Sequence, residues 1–319
     1  MITVGVLGNN FGKYHAQLYK RIDGFEVKQI FGRDDARLQQ TAKELGIATT
    51  NDIQSVITDP AIDLIDICLP TPLHFEYALE ALRHGKHVLC ETPLAITVEE
   101  ALGLQQASEQ CGRMVFVDLF YKFSSAHSKA MSLLQNEKLG DIRSATLYNR
   151  TAAVWGNLNV EKNISDFHIH NLDFVLEVLG LPGKVSTHAM GFGDASFVAT
   201  VLQYDHQMAA IESSSHLPKG SPFCIGFEII CENGAIVYSG EYGSESSERF
   251  TLSIDGEKSE IQLAQTDDYE LVLRHVQDCL NHNKKSALLD VSRAVDALRI
   301  REAIQQSCLT GQTVTLSGR

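Results

Sequence analysis

Up to about residue 120 the chain alternates short apolar runs with polar-faced helical segments, and that rhythm leaves few folds open. The runs are Ile2–Leu7, Phe25–Phe31, Ile62–Leu69, Val88–Cys90 and Met114–Leu119. Helical patterns over Tyr14–Arg21, Asp34–Leu45, His74–His84 and Thr97–Cys111 separate them. Gly46 and Gly85 supply stop signals, and Thr97-x-x-Glu100 opens the last helix as a capping box. Strands that are apolar throughout must be covered on both faces, and a strand followed by a helix pairs in parallel with the next strand. The pattern predicts an α/β fold with a doubly wound parallel sheet of Rossmann type over residues 1–120.

After Tyr121 the rhythm changes. Helices at Ala126–Asn136 and Asp166–Leu179 flank a strand near Ile142–Tyr148. Strand-like stretches then follow without helices between them: Lys184–Phe192, Phe197–Tyr204, Gln207–Ser215, Ile225–Glu232, Ala235–Tyr238, Phe250–Ile254 and Ile261–Leu263. Asn233-Gly234 reads as a hairpin turn because both residues accept positive φ. Residues 121–319 are thus expected to form a second α/β domain around a mostly antiparallel open sheet, closed by helices over Asp268–Asn281 and Val291–Cys308.

The net charge of −13 argues against nucleic acid or an anionic membrane as partner, since both repel an acidic protein. No apolar run approaches the ~20 residues that span a bilayer, and the opening Met1–Leu7 reads as a buried strand, not a signal peptide. Seven scattered cysteines without a C-x-x-C pair read as reduced thiols of a cytoplasmic protein. Of the histidines, the closest set, His168 and His170, is spaced i,i+2 and diverges on a helix, so no metal site is expected.

Between the first run and the first helix lies Gly8-Asn9-Asn10-Phe11-Gly12. A glycine turn between a strand and a helix lets backbone N–H groups approach a pyrophosphate. The loop departs from G-x-G-x-x-G: Asn10 holds the second glycine position, and Gly12 comes one residue early. Asn tolerates left-handed backbone, which would let the loop form. The second run ends in Phe31-Gly32-Arg33-Asp34, with Gly32 where an NAD-selective carboxylate is expected. The missing carboxylate and the Arg33 guanidinium favour NADP, with NAD as the other option. Alternatively, Arg33 is a solvated residue at a helix start and Asp34 its N-cap.

The stretch from His74 to Ala95, reading HFEYALEALRHGKHVLCETPLA, resembles a signature block of the Gfo/Idh/MocA oxidoreductases. The likeness continues through Leu69-Pro70-Thr71-Pro72-Leu73-His74, through Tyr121-Lys122-Phe123 and into the closing helix. The resemblance implies a nicotinamide cofactor and hydride transfer on a sugar, inositol or related polyol. It adds Leu69, Pro70, His74 and Glu91 to the cofactor candidates Gly8, Asn9, Asn10, Phe11, Gly12 and Arg33. It also implies an Asp-x-x-x-His helix motif, which Asp166 and His170 match, with Asp173 beyond. Four apart on a helix, Asp166 and His170 share a face, so the carboxylate can orient the imidazole that exchanges a proton. Otherwise Asp166 is a cap and His170 a packed histidine. His168 lies off that face.

The family's E-K-P lysine is replaced by Thr92, a neutral hydroxyl that supplies no charge to a developing alkoxide. Lys122 is the candidate to replace that charge. Tyr121, Asn149, Arg150 and Trp155 fall where relatives line a substrate site, with Trp155 as a stacking platform or a packing anchor. Two functions follow: a dehydrogenase with His170 as general acid/base, or a non-catalytic dinucleotide sensor that lost the lysine. The family's open sheet face further implies a homodimer or homotetramer.

Overall fold

The computed structural model describes residues 1–135, 137–152 and 156–316. Trp155 and the last residue of the helix expected to end at Asn136 lie outside them. The chain divides into two compact units, Met1–Phe123 with Thr266–Val295, and Ser124–Gln265 with Asp296–Arg319.

The first unit runs β1 (Ile2–Leu7), α1 (Phe11–Tyr19), β2 (Phe25–Phe31), α2 (Asp35–Leu45), β3 (Ala48–Thr50), α3 (Ile53–Ile57), β4 (Leu64–Ile67), α4 (His74–Arg83), β5 (His87–Cys90), α5 (Val98–Cys111) and β6 (Val115–Val117). The six strands pair in parallel in the order β3-β2-β1-β4-β5-β6. Val4, Val6, Leu64, Ile65, Ile67, Val88 and Leu89 are fully buried, as strands covered on both faces require. Each such side chain contributes roughly 1.5–3 kcal/mol through burial. The predicted capping box forms at Thr97 and Glu100, and Gly46 ends α2 in the left-handed region. β3 and α3 were not legible, because three and five residues are too short to establish a period.

The compact units do not follow the linear order of the chain. Helix Asp268–Asn281 buries Val272, Leu273, Val276 and Cys279 in the same core as Ile2, Val4, Leu18 and Tyr19. Tyr14 donates to Asp267 at 2.8 Å, and Gln277 donates to the Asp23 carbonyl at 2.7 Å. Apolar pattern alone marks this segment as a helix but not which core it fills.

The second unit contains α6 (Ser125–Leu134), β7 (Ile142–Ala152), a single turn α7 (Val160–Lys162), a π-helical stretch at Asn163–His168 and α8 (His170–Leu179). Seven strands follow: β8 (Lys184–Phe192), β9 (Ala195–Gln203), β10 (Met208–Leu217), β11 (Phe223–Cys231), β12 (Gly234–Tyr242), β13 (Ser247–Ile254) and β14 (Glu257–Ile261). Then come α9, the Asp268–Asn281 helix of the first unit, α10 (Val291–Thr310) and β15 (Val314–Thr315). The nine-stranded sheet runs β14-β13-β12-β11-β7-β10-β9-β8-β15, and the β7–β10 pair is its parallel exception.

Two turns differ from expectation. A hairpin does form at Asn233-Gly234, but neither residue has positive φ. Gly234 is needed for space, since a Cβ there would lie 2.3 Å from the Ser253 carbonyl oxygen. The turn with two left-handed residues is Asp255-Gly256, with φ of 52° and 82°. That pairing of Ile254 with Glu257 fixes β14 at Glu257–Ile261, earlier than the strand expected at Ile261–Leu263.

Candidate functional site

The glycine loop sits at the C-terminal edge of the parallel sheet, between β1 and α1. Gly8 has φ of 122°, and a Cβ there would meet the Cys68 carbonyl oxygen at 2.4 Å. Gly12 lets α1 lie on β1, since its Cβ would fall 2.6 Å from a Val6 methyl. Asn10, expected in left-handed backbone, instead has φ of −100° and ψ of −87°. Its side chain does not cap α1; the amide oxygen accepts from Arg37 at 2.9 Å. Both ends of the Asn9 amide are buried without a hydrogen-bond partner. An uncapped helix start, an orphaned amide and a glycine cradle fit a ligand rich in phosphate oxygens. Phe11, the first residue of α1, lays its ring near those of Tyr14 and His15.

Beyond the loop, one pocket is lined by Gly8, Asn9, Asn10, Phe31 and Gly32, and by Arg33, Asp34 and Arg37. Cys68, Leu69 and Pro70 close it. A Cβ on Gly32 would crowd Asn9 and Leu38 at 2.8 and 2.9 Å, so glycine also serves packing there. Asp34 is the N-cap of α2, accepting from the Arg37 backbone at 3.1 Å, as the alternative reading held. Its other oxygen lies 3.5 Å from the Arg37 guanidinium. Arg37 was missed in the sequence, where an Arg one turn into a polar helix carries no signal of its own. Arg33 and Arg37 bring two cations to this pocket against one carboxylate that already caps a helix.

His74 binds the loops after β4 and β5 together. Its Nε2 lies 2.6 Å from the Leu69 carbonyl oxygen and its Nδ1 2.8 Å from that of Pro93. Glu91 leaves β5 with its N–H donated to Ile67, and Thr92 follows at a cis bond to Pro93. Lys122 belongs to a 3-10 turn at Phe120–Phe123, which includes Tyr121.

In the second unit the Asp166 motif takes an unexpected form. The residues from Asn163 to His168 wind as a π-helix, and α8 begins at His170. The Asp166 carboxylate pairs with Lys162 at 2.9 Å and accepts from Ser165 at 2.7 Å. It is the Asp166 backbone carbonyl that accepts from His170. Burial pushes His170 down to about 4, offset in part by that bond and by the Asp166 charge, so its imidazole is neutral at neutral pH. Asp173 is buried on α8. Arg150, expected near substrate, forms a two-pronged ion pair with Glu212 at 2.7 Å for each bond and lies over the Tyr148 ring. Asn149 donates to the Phe167 carbonyl at 3.4 Å.

His168 is structural. It is fully buried, 2.8 Å from Ser213 Oγ and 3.0 Å from Thr200 Oγ1. Burial pushes its pKa down to about 3. The unfolded chain therefore binds a proton below about pH 6.5 that the native state refuses. Stability is full above that pH and falls as the pH drops toward 3, at about 1.4 kcal/mol per pH unit. In urea unfolding followed from about pH 7.5 to about pH 5.5, the second unit is expected to weaken. A His168→Gln variant keeps more of its own stability across that range. An equal slope in both proteins contradicts the assignment.

No helix among the described residues is long and apolar enough to cross a membrane. The seven cysteines are free thiols. The model of the Gfo/Idh/MocA family described as "Oxidoreductase family, NAD-binding Rossmann fold" matches residues 2–119. The model of its "C-terminal alpha/beta domain" matches residues 131–316. The scyllo-inositol 2-dehydrogenase (NAD(+)) of Bacillus subtilis is 24% identical, with 99% of this chain and 96% of that protein covered. The scyllo-inositol 2-dehydrogenase (NADP(+)) of the same organism is 23% identical over 78% of this chain and 72% of its own. Among solved structures, the aldose-aldose oxidoreductase from Caulobacter crescentus has the same fold, with a TM-score of 0.85 at 18% identity and 99% of each chain covered.

Proposed function

Because the chain belongs to the Gfo/Idh/MocA oxidoreductase family, we propose that it transfers a hydride between NADP(H) and a hydroxyl-bearing or carbonyl carbon of a sugar or other polyol. The observation that carries the cofactor half is the pocket holding Arg33 and Arg37 beside Gly32, where an NAD-selective site places a carboxylate. The 2′-phosphate meets two guanidinium groups there. Asn9, Asn10 and the N–H groups at the start of α1 hold the pyrophosphate. Leu69, Pro70, His74 and Glu91 shape the edge where the loops after β4 and β5 meet. NAD(H) binds in the same cradle but leaves the arginines without their anion.

When bound, the nicotinamide supplies or takes up the hydride. His170 removes the hydroxyl proton during oxidation and returns it during reduction. Its ring donates to the Asp166 carbonyl, which places the lone pair on the other nitrogen. Asp166 is a positioning residue, and its carboxylate anchors Lys162. Thr92 contributes a hydroxyl contact in place of the family lysine, and Lys122 is the cation proposed to offset the loss. The relatives named as inositol dehydrogenases support a polyol substrate. The test is turnover on a panel of inositols, aldoses and glycosides with NADP⁺, read by reduced nicotinamide absorbance. Robust turnover on one class supports the reading. Silence across the panel with intact NADPH binding favours a dinucleotide-binding regulator, the reading Thr92 invites.

Met190, Phe192, Val201, Met208 and Val237 are exposed apolar residues on one face of the nine-stranded sheet, by strand register. Covering that face supports a homodimer or homotetramer. Light scattering at micromolar concentration is expected to give twice or four times the chain mass; a monomer contradicts this. The acidic charge and free thiols support a cytoplasmic protein without nucleic-acid or membrane partners.

A further inference from the structure

Beneath the glycine loop, the first unit gathers a set of ionisable side chains of which the proposed reaction uses only Glu91, at the edge of the cofactor cradle. His15 on α1 is fully buried. Its Nδ1 lies 2.9 Å from Asp66 Oδ2 and 3.5 Å from Cys68 Sγ. Its Nε2 lies 3.3 Å from Glu91 Oε1 and 3.8 Å from Asp118 Oδ2. His15 Nε2, Glu91 Oε1 and both oxygens of the fully buried Asp118 have no hydrogen-bond partner. His15, Cys68 and Glu91 each offer a ligand atom within 4.8 Å of the others.

The backbone fixes this convergence. Asp66 lies in β4, Cys68 just after it, Glu91 just after β5 and Asp118 just after β6. Neighbouring parallel strands thus end at one level, tied by the Glu91 N–H to the Ile67 carbonyl and the Asp118 N–H to that of Cys90. The rings of Phe11 and Tyr269 stand 4.9 and 5.6 Å from His15.

We propose that this cluster is a binding site for one divalent transition-metal ion of the zinc class, held by His15 Nε2, Glu91 and Asp118. Zinc bonds to nitrogen and carboxylate oxygen of about 2.0–2.1 Å, at tetrahedral angles, put ligand atoms roughly 3.4 Å apart. The 3.3 Å from His15 Nε2 to Glu91 meets that need directly, and Asp118, at 3.8 Å, moves inward to close the set. With Nδ1–H donated to Asp66, Nε2 is the nitrogen left for the metal, which displaces to solvent the proton that the neighbouring acids otherwise hold on the ring. One imidazole and two carboxylates, with a thiol alongside, suit zinc better than calcium or magnesium, which prefer all-oxygen shells. Buried carboxylate oxygens without donors are otherwise costly. Histidine spacing along the sequence hid the set, because its members are spread from residue 15 to residue 118 and meet only through the sheet. The metal pins α1 through His15, one turn beyond the cofactor loop.

The test uses the full-length protein stripped with a chelator and titrated with Zn²⁺ by calorimetry, and with Co²⁺ by visible absorbance. One equivalent per chain, with the intense bands of four-coordinate cobalt, is expected. Asp118→Asn and His15→Asn lower affinity by more than about a hundredfold, and Asp66→Asn by about tenfold to a hundredfold, as loss of a second carboxylate does. Far-UV circular dichroism and urea unfolding of each metal-free protein serve as the folding control. Absence of stoichiometric uptake overturns the proposal, as does uptake that the variants leave unchanged. Where a variant fails to fold, the wild-type cobalt spectrum decides: weak six-coordinate bands from surface-bound ion overturn the site.

Discussion

Replacing His170 by alanine is expected to lower kcat by about 10²–10⁴-fold, the usual contribution of a positioned acid or base, with NADPH affinity unchanged. The reasoning starts from chemistry: hydride transfer from an alcohol carbon also releases a proton, and a group near the hydroxyl must take it. His170 is the histidine of its helix motif left for that work, since His168 is held by Ser213 and Thr200 inside the second unit. Burial keeps the ring neutral, and its hydrogen bond to the Asp166 backbone orients it. Because the bond comes from backbone, Asp166→Asn is expected to cost far less than His170→Ala. Steady-state kinetics with direct NADPH titration separates the two. Unchanged kcat in His170→Ala would make His170 a packed residue. Loss of NADPH binding would make its effect structural.

The second large effect concerns cofactor choice. Converting Arg33 and Arg37 together to alanine is expected to weaken NADPH binding by on the order of a hundredfold, with little change for NADH. Hydrogen bonds to a charged group contribute ~1.5–3 kcal/mol each, or about tenfold or more per arginine. Both side chains are on the surface of their pocket, so solvent screening argues for the lower end of that range. Equal losses for NADPH and NADH would mean that Arg37 acts through Asn10 and the loop, which it holds at 2.9 Å, and not through a 2′-phosphate.

The parallel sheet was legible because fully covered strands leave unbroken apolar runs, and because Thr97, Glu100, Gly46 and Gly85 mark helix ends by their own chemistry. Domain membership was less so. The Asp268–Asn281 segment reads as a helix wherever it lies, and only its packing on β1 and α1 assigns it to the first unit. Turn chemistry misled at Asn233-Gly234, where the glycine answers crowding from Ser253, while Asp255-Gly256 carried the left-handed pair unnoticed. In the site, Gly8 and Gly12 could be picked out because close approach demands glycine, and Gly32 because it stands where a carboxylate is expected. Arg37 could not, being one of several charges on an exposed helix face. The relation of Asp166 to His170 was read with α-helical spacing, and the π-helix redirected the carboxylate to Lys162.

The most direct test of the central reading is calorimetric titration of the purified protein with NADPH and NADH, and with NADP⁺ and NAD⁺. The account predicts saturable binding of one dinucleotide per chain, tighter for the phosphorylated forms. No binding of any dinucleotide by a folded chain contradicts it outright, and tighter binding of NADH would overturn the role given to Arg33 and Arg37.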